Sequence, residues 1–91
     1  MKDRYPEEKG KLTINGHKMQ WSIRRSRNES AFGIRGSRIF DLTILKDGKM
    51  AAEYGWGWSK KIAPDDKESA LCLSHLIQTY GKEKRKEKKD D

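Results

Sequence analysis

The side chains with the most obvious capacity for catalysis are Cys72 and two histidines, His17 and His75. Cys72 and His75 are three positions apart, and on a helix that spacing brings side chains together on successive turns, where an imidazole can accept a thiol proton. A nucleophilic pair also needs a third group that orients the base, and the sequence offers none. Metal sites draw on more ligands at organised spacings. We therefore predict a solvated histidine and a half-buried thiol, with no metal, no cofactor and no enzymatic activity.

A pair of carboxylates is the second candidate for chemistry. Asp41 and Glu53 lie in two segments that are expected to pair as a hairpin, with both carboxylates on its solvent face. Two carboxylates in one site can divide the acid and base roles of a reaction. Arg38 and Lys49 belong to the same hairpin, however, and surface carboxylates beside basic residues are ordinary ion pairs. We expect ion pairing here and not catalysis.

Positive charge is concentrated in one segment of the chain. Five of the seven arginines lie within residues 24–38, where Glu29 is the only acidic residue. Guanidinium groups bind phosphates and carboxylates through paired hydrogen bonds, so this density indicates an anionic partner. Two glycines in the same segment are compatible with a loop whose amides bind phosphate. Loop glycines more often permit a turn, and we favour a plain connection with Phe32 or Ile34 tucked beneath the sheet.

The stretch YGWGWSKK at 54–61 places three aromatic rings in five residues, separated by glycines. Tyr54 is expected to end a strand with its ring inward. The glycines allow the chain to bend away from the sheet, so Trp56 and Trp58 need not point in the same direction. Because Trp and Arg are favoured interface anchors, the predicted partner- or nucleic-acid-binding residues are Arg24, Arg25, Arg27, Arg35, Arg38, Trp56, Lys60 and Lys61.

The composition limits what else the chain can hold. Ninety-one residues fit one domain, and with 33% hydrophobic and 38% charged residues there is material for one small core. The net charge is +7, and positive charge favours a nucleic acid or an acidic protein surface. One cysteine cannot form an internal disulfide, and no apolar run has the length of a membrane helix or a signal peptide. We predict a cytoplasmic protein without a membrane partner.

The segment KLTINGHKMQWSI at 11–23 predicts a β-hairpin. Asn15-Gly16 suits a two-residue type I′ turn, in which both central residues have positive φ. Closing this turn pairs Ile14 with His17. Since side chains alternate between the faces of a sheet, one face carries Leu12, Ile14, Met19, Trp21 and Ile23, and the other carries Lys11, Thr13, Lys18, Gln20, Ser22 and Arg24.

The segment SRIFDLTILKDGKMAAEY at 37–54 predicts a second hairpin, for which two turns compete. A two-residue turn at Asp47-Gly48 would place Glu53 on the apolar face. A three-residue loop that ends in a left-handed glycine pairs Ile44 with Met50 instead. We choose the loop because it gathers six apolar side chains on one face, namely Phe40, Leu42, Ile44, Met50, Ala52 and Tyr54. As a consequence, Asp41 and Glu53 are expected to be cross-strand neighbours on the solvent face.

A helix is predicted after Pro64. Asp65 is the expected N-cap, and Glu68 three residues later would complete a capping box. The helix should run to about Tyr80, with Gly81 as its C-cap. Its apolar stripe consists of Ala70, Leu73, Leu76, Ile77 and Tyr80.

The predicted fold class is α+β, a four-stranded antiparallel sheet of two consecutive hairpins with one C-terminal helix packed on one face, in the order ββββα. Residues 1–10 are expected to be a flexible segment and residues 11–81 a single domain. Residues 82–91 carry six basic and four acidic side chains, and we expect a charged tail that is disordered or a frayed helix.

The pattern S-x-F-G-I-x-x-x-R-I-x-x-L at 30–42, followed by Tyr54 and Gly57-Trp58, resembles a small uncharacterised domain family associated with Firmicutes chromosomes, phages and other mobile elements. In that family the later segment reads closer to Tyr-Asp-Arg-Gly-Trp. Here Gly55 and Trp56 replace the charged pair, whose role does not carry over. Trp58 matches the Gly-Trp motif, so the resemblance implies that Trp58 packs beneath the helix near Ile62 and that Trp56, in place of a charged residue, is exposed. The resemblance covers about residues 20–80, and it implies a ββββα-like module in a mobile-element setting with no known activity.

Two functions of different classes follow as hypotheses. The first is a non-enzymatic interaction protein of a phage or mobile element, present as a monomer or homodimer. Its partner would be a host protein or protein–nucleic-acid complex, and inhibition of a host-defence complex such as a CRISPR effector nuclease is a specific form of it. The alternative is a direct nucleic-acid-binding module, with the arginines on phosphates and a tryptophan stacked on an unpaired base. A fainter likeness to the sheet-plus-helix arm domains of phage integrases agrees with the alternative, although Asp41 and Glu53 do not suit a sheet that lies on phosphates.

Overall fold

The computed structural model describes residues 6–26 and 33–81 as a five-stranded antiparallel sheet followed by one helix. The strands are β1 (Glu8–Ile14), β2 (His17–Arg25), β3 (Ile39–Lys46), β4 (Lys49–Gly55) and β5 (Trp58–Lys60), and the helix is α1 (Lys67–Leu76). The strands lie side by side in chain order. The α+β class and the single C-terminal helix are confirmed, whereas the predicted sheet of four strands is one strand too small.

The first hairpin forms as its turn chemistry predicts. Asn15 and Gly16 have φ values of 51° and 81°, and Ile14 pairs with His17. Leu12 pairs with Met19, so the predicted division of side chains between the two faces is confirmed. The strand β1 also begins at Glu8, three residues before the predicted start of the domain.

The second hairpin departs from the predicted register. Asp47 and Gly48 form a two-residue turn with φ values of 52° and 85°, and Leu45 pairs with Met50. A β-bulge then shifts the register, so that Ile44 pairs with Ala52 and not with Met50. The extra residue returns the apolar side chains of β4 to the core face, although the turn alone would have turned them outward. Met50 itself is 43% exposed, contrary to its predicted place in the core.

The bulge also separates the two carboxylates that were expected to be neighbours. Glu53 pairs with Thr43, and Asp41 pairs with Gly55 on β4 and with Arg24 on β2. The predicted cross-strand pair of Asp41 and Glu53 is therefore wrong. Each carboxylate faces a different neighbour on the sheet.

The fifth strand was not predicted because it is only three residues long. Gly55, Trp56 and Gly57 reverse the chain, and Tyr54 then pairs with Trp58. Their rings meet edge to face at 5.0 Å between centroids. Tyr54 is buried and Trp58 is half-buried against the core, together with Ile62, in agreement with the expected inward positions.

The helix begins one residue later than predicted and is capped differently. Asp66 is the N-cap, and its carboxylate accepts hydrogen bonds from the Ser69 amide at 3.1 Å and the Ser69 hydroxyl at 2.7 Å. Glu68 does not complete a capping box, since its carboxylate contacts Lys46 and Asn15. Regular α-helix ends at Leu76, and a wider π-helical turn continues through Ile77–Gly81.

One hydrophobic core lies between the sheet and α1. The helix contributes Cys72, Leu73 and Leu76, whereas Ala70 is exposed, contrary to prediction. The sheet contributes a cluster that includes Met19, Trp21, Ile23, Leu42, Ile44, Ala52 and Tyr54. We call this covered side the inner face and the opposite side the outer face.

Candidate functional site

The outer face of the sheet carries mainly polar and charged side chains. Among residues 6–26 and 33–81, no helix or strand packs against it. Register assigns to this face Lys9, Lys11, Thr13, Lys18, Gln20, Ser22, Arg24, Asp41, Thr43, Leu45, Met50, Glu53 and Lys60. The charged side chains of β1 and β2 in this set are all cations, whereas β3, β4 and β5 contribute two carboxylates and Lys60, so the two halves of the face differ in charge.

Trp56 stands at one end of the outer face in an unusual backbone conformation. Its φ is 62°, in the left-handed region, which residues other than glycine and asparagine seldom adopt. Two backbone hydrogen bonds fix this conformation: the Gly55 amide donates to the Gly57 carbonyl at 2.8 Å, and the Trp56 amide donates to the Phe40 carbonyl at 3.1 Å. The loop therefore determines where the indole points.

The indole of Trp56 stacks on Phe40. The ring centroids are 4.8 Å apart and the ring planes differ by 17°. Phe40 is the additional residue of a second bulge, in which Arg24 pairs with Asp41 and Arg25 pairs with Ile39. Phe40 is buried, as predicted, but it does not belong to the main core cluster. Phe40 is buried and Trp56 is 62% exposed, so the predicted exposure of Trp56 is confirmed.

Two of the predicted binding arginines are held within the chain. The Arg25 guanidinium donates two hydrogen bonds to Glu8, at 2.7 and 3.0 Å, and it lies over the Tyr80 ring at 5.2 Å from the centroid. Arg38 donates through Nε to the Ser26 carbonyl at 2.7 Å. Both guanidinium groups thus connect parts of the fold, and both are oriented by acceptors of the protein itself.

Arg24 is the arginine on the outer face. Its Nε lies 3.9 Å from Asp41 Oδ2, across the β2–β3 ladder. Burial raises the pKa of the Asp41 carboxyl, and the Arg24 charge offsets part of that effect. The pair lies beside Phe40, so a cation, a carboxylate and the aromatic stack share one end of the face.

The glycine-containing loop forms a tight turn and not an amide cradle for phosphate. The Gly36 and Ser37 amides donate to the Gly33 and Ile34 carbonyls at 3.1 and 2.9 Å, so these donors are already used. Ile34 is buried, as one of the two favoured alternatives predicted, whereas Phe32 and Arg27 lie outside the described residues. Arg35 has a φ of 53° and an exposed side chain.

The two lysines predicted to bind a partner lie at the β5 edge of the sheet, opposite the β1 edge. Lys60 and Lys61 are exposed at the end of β5, and Lys60 pairs with Glu53 in the strand register. Lys46 was not predicted to be part of a site, and its Nζ contacts Asp66 at 2.9 Å and Glu68 at 3.0 Å. Hydrogen bonds from Asn15 and Lys46 lower the pKa of Glu68 to about 2. This cluster fastens the start of α1 to both hairpins.

The residues first considered for catalysis are not assembled into a common site. Cys72 is fully buried, and burial raises the pKa of its thiol to about 11, so the reactive thiolate is rare at neutral pH. His75 is exposed on α1. His17 Nδ1 lies 2.6 Å from Asp47 Oδ2, which joins the two hairpin turns and lowers the pKa of Asp47. Within the described part of the chain, no three histidine, cysteine or acidic side chains could hold a metal ion.

Sequence reasoning missed the roles of one aromatic residue and three lysines at the outer face. Phe40 was expected to be buried, and it is, but its stacking on Trp56 was not predicted because the alternation of polar and apolar residues does not reveal a bulge. Lys11 and Lys18 were placed on the solvent face but not assigned to a site, and Lys9 fell in the segment expected to be flexible. The available signal was the hairpin register, which puts these lysines on one side of two adjacent strands.

The fold is an α+β layer structure in which one helix covers one face of an antiparallel meander, and the candidate site is a binding surface on the other face. A family model for a domain of unknown function, DUF7678, matches residues 7–81. The chain therefore belongs to the DUF7678 family. No curated protein and no solved structure matches the chain. No helix among the described residues is both long enough and apolar enough to cross a membrane.

Proposed function

We propose that the chain is a non-enzymatic interaction protein that anchors a macromolecular partner through the Trp56 end of its outer face. The observation that supports this function best is the display of a 62% exposed indole from a left-handed backbone position. A residue with a Cβ in that region costs about 1–2 kcal/mol. Strained positions of this kind cluster at functional sites, where the strain is part of the mechanism.

The surroundings of Trp56 suit an anchor. Stacking on Phe40 holds the ring in one orientation before binding, so less conformational entropy is lost when a partner covers it. Tryptophan is enriched among the residues that dominate binding energy, and arginine commonly accompanies it. Arg24 supplies such a group at the same end of the face.

A finer form of this proposal concerns the partner. The similarity of residues 30–42 and of Gly57-Trp58 to a family of phages and other mobile elements supports a host protein or a host protein–nucleic-acid complex as the target. Small proteins in that setting often act by occluding a host machine, and by this association a CRISPR effector nuclease is the specific target that we propose. This form rests on the resemblance and on the binding surface together.

Affinity capture from a host extract, run in parallel with and without nuclease treatment, tests the proposal, and the untreated extract supplies the comparison that decides it. The tagged wild-type chain is compared with Trp56→Ala and with the control Leu71→Ala, which removes a 52% exposed side chain from α1. We expect Trp56→Ala to reduce recovery of one specific partner at least roughly ten-fold, as loss of a dominant anchor does. Recovery that is equal for the wild type and Trp56→Ala, or that depends on Leu71, would contradict the proposal.

A further inference from the structure

A row of cations follows the first two strands across the outer face. Along the β1–β2 ladder, Lys18 is opposite Thr13, Lys11 is opposite Gln20, and Lys9 is opposite Ser22. Arg24 is the next outer residue of β2. Each two-residue step of the ladder therefore carries one positive side chain, and the steps are about 7 Å apart. We call Lys18, Lys11, Lys9 and Arg24 the cation row.

The first members of the cation row are available to a ligand. Lys11 and Lys18 are exposed and make no ion pair with any described residue. Lys9 Nζ lies 3.9 Å from Glu7 Oε1 in an exposed contact, a type of pair that contributes little and exchanges readily. Arg24 lies at the same distance from a carboxylate, with its Nε 3.9 Å from Asp41 Oδ2. Asp47 Oδ1 accepts a hydrogen bond from the Lys18 backbone amide at 3.0 Å, and the remaining carboxylate of the face, Glu53, lies away from the row on β4.

The surface beside the cation row is concave and has both apolar and polar side chains in its lining. A shallow groove is lined by Glu7, Lys9, Lys11, Gln20, Trp21 and Thr43, among other residues, and a second depression that shares Lys11 and Gln20 continues it toward Lys18 and Asp47. The hydroxyl and amide groups of this floor can donate and accept hydrogen bonds. At its other end the row reaches Arg24, next to the stack of Phe40 and Trp56.

We infer that the outer face binds single-stranded nucleic acid, with successive phosphates along the cation row and an unpaired base stacked on Trp56. Proteins that bind single strands combine a positively charged track for the backbone with an aromatic platform for bases, and this face has both. The one-sided charge of β1 and β2 is complementary to a phosphodiester chain. Duplex readers insert a helix or a two-stranded ribbon into a groove, whereas this surface is a shallow trough.

This inference rests on the proposed function, because it names the part of the partner that contacts the binding surface. From the sequence, arginines were expected to bind the phosphates, whereas the inference assigns most of the phosphate contacts to lysines. Arg25 and Arg38 are held by acceptors within the chain, while the lysines of β1 and β2 take the phosphates.

Fluorescence anisotropy with a labelled oligothymidylate, measured over a series of salt concentrations, tests the inference. The row variant Lys11→Ala/Lys18→Ala is compared with the control Lys49→Ala/Lys67→Ala, which removes the same charge from exposed positions on β4 and α1, outside the outer face. For single strands the slope of log affinity against log salt changes by about 0.7 per phosphate contact. We expect the row variant to lower the slope by about 1.4 and the low-salt affinity roughly ten-fold, and the control to leave both near the wild-type values.

Two further comparisons identify the ligand. Trp56→Ala should weaken oligothymidylate binding roughly ten-fold or more, whereas Trp56→Phe keeps a ring for stacking and should retain most of the affinity. The same labelled strand annealed to oligoadenylate should bind more weakly than the single strand. Circular dichroism and unfolding midpoints equal to those of the wild type show that each variant is folded.

Three results would overturn the inference. The first is that the wild type shows no salt-sensitive binding of oligothymidylate, the second is that the row and control variants lose equal affinity, and the third is that the duplex binds more tightly than the single strand. A protein captured through Trp56 from nuclease-treated extract, without any binding of oligothymidylate, would overturn the inference and leave the proposed function intact. Binding to oligothymidylate that is independent of Trp56 would contradict the proposed anchor.

Discussion

Arg25 joins three parts of the fold through one guanidinium group. Its Nε lies 2.7 Å from Glu8 Oε2, its Nη2 lies 3.0 Å from Glu8 Oε1, and its Nη1 lies 3.3 Å from the Tyr80 carbonyl oxygen. Both partners of the ion pair are about two-thirds shielded from solvent. The edge strand β1 is thereby tied to β2 and to the turn that follows α1.

Replacement of Glu8 should destabilise the protein. Glu8→Ala removes the two carboxylate oxygens that accept hydrogen bonds from the half-buried Arg25 guanidinium. Because two charge-assisted hydrogen bonds are lost, we expect the free energy of unfolding to fall by about 1–2 kcal/mol. Urea denaturation measures it. The control is Glu7→Ala, whose exposed contact with Lys9 spans 3.9 Å and should contribute less than about 0.5 kcal/mol. Equal effects of the two substitutions would contradict a structural role for Glu8.

The charge cluster at the start of α1 should make stability fall in acid. Hydrogen bonds from Asn15 and Lys46 lower the pKa of Glu68 from 4.5 to about 2 in the folded protein. The unfolded chain therefore takes up a proton at higher pH than the folded one, and this contribution to stability is complete above about pH 5 and is lost as the pH falls toward 2.

The pH dependence can be assigned by substitution. In Glu68→Gln the decline in unfolding free energy between pH 5 and pH 2 should be shallower, and Glu53→Gln, which removes a carboxylate from the outer face, is the control. Chemical denaturation at a series of pH values measures the slope. A Glu68→Gln variant with the wild-type slope would show that the cluster does not determine acid stability.

Gly10 is needed because Trp21 lies against its backbone. A Cβ at position 10 would be 2.4 Å from the Trp21 ring atom Cζ2, so the indole would have to move. We expect Gly10→Ala to cost about 1–3 kcal/mol, as overpacking does, and to alter the near-ultraviolet circular dichroism of the tryptophans. In Gly55→Ala the new methyl group meets no atom within 4 Å, which makes it the matched control. Unchanged stability of Gly10→Ala would contradict the close contact.

The Cys72 thiol should react slowly in the folded protein. Its side chain is fully buried and its pKa is raised to about 11, so both access and thiolate population are low. With a disulfide reagent at pH 8, we expect modification to follow the rate at which the chain opens, and to become rapid in denaturant. Immediate modification of the folded chain would show that α1 does not cover this residue.

The two hairpins show how far local patterns reach. For the first hairpin, the Asn15-Gly16 turn and the apolar alternation require the same register, and the structure has it. For the second, the Asp47-Gly48 turn and the alternation disagree by one residue, and the chain satisfies both by inserting a bulge. The predicted turn was chosen on the assumption that the ladder has no bulge. A bulge cannot be recognised from the order of polar and apolar residues, so the assumption could not be tested from the sequence.

The candidate site was predicted where it depends on one residue and its neighbours. The exposure of Trp56 was implied by its place in the family motif, where a charged residue stands, and the inward position of Tyr54 followed from alternation. The roles of Arg25 and Arg38 depend on acceptors distant in the chain, Glu8 and the Ser26 carbonyl. Such partners become known only after the strands are assembled, so arginine density alone does not distinguish structural from binding side chains.

The order of the strands has a consequence for how the protein folds. Each strand pairs with its neighbour along the chain, so the sheet can form by closing short loops, whereas the hydrogen bond between Asn15 and Glu68 spans 53 residues. Contacts between distant residues carry the larger loop-closure cost and form late. Docking of α1 on the sheet is then the last step of folding. Because its contacts with Lys46 form after the rate-limiting step, weakening them would speed unfolding and leave the folding rate nearly unchanged.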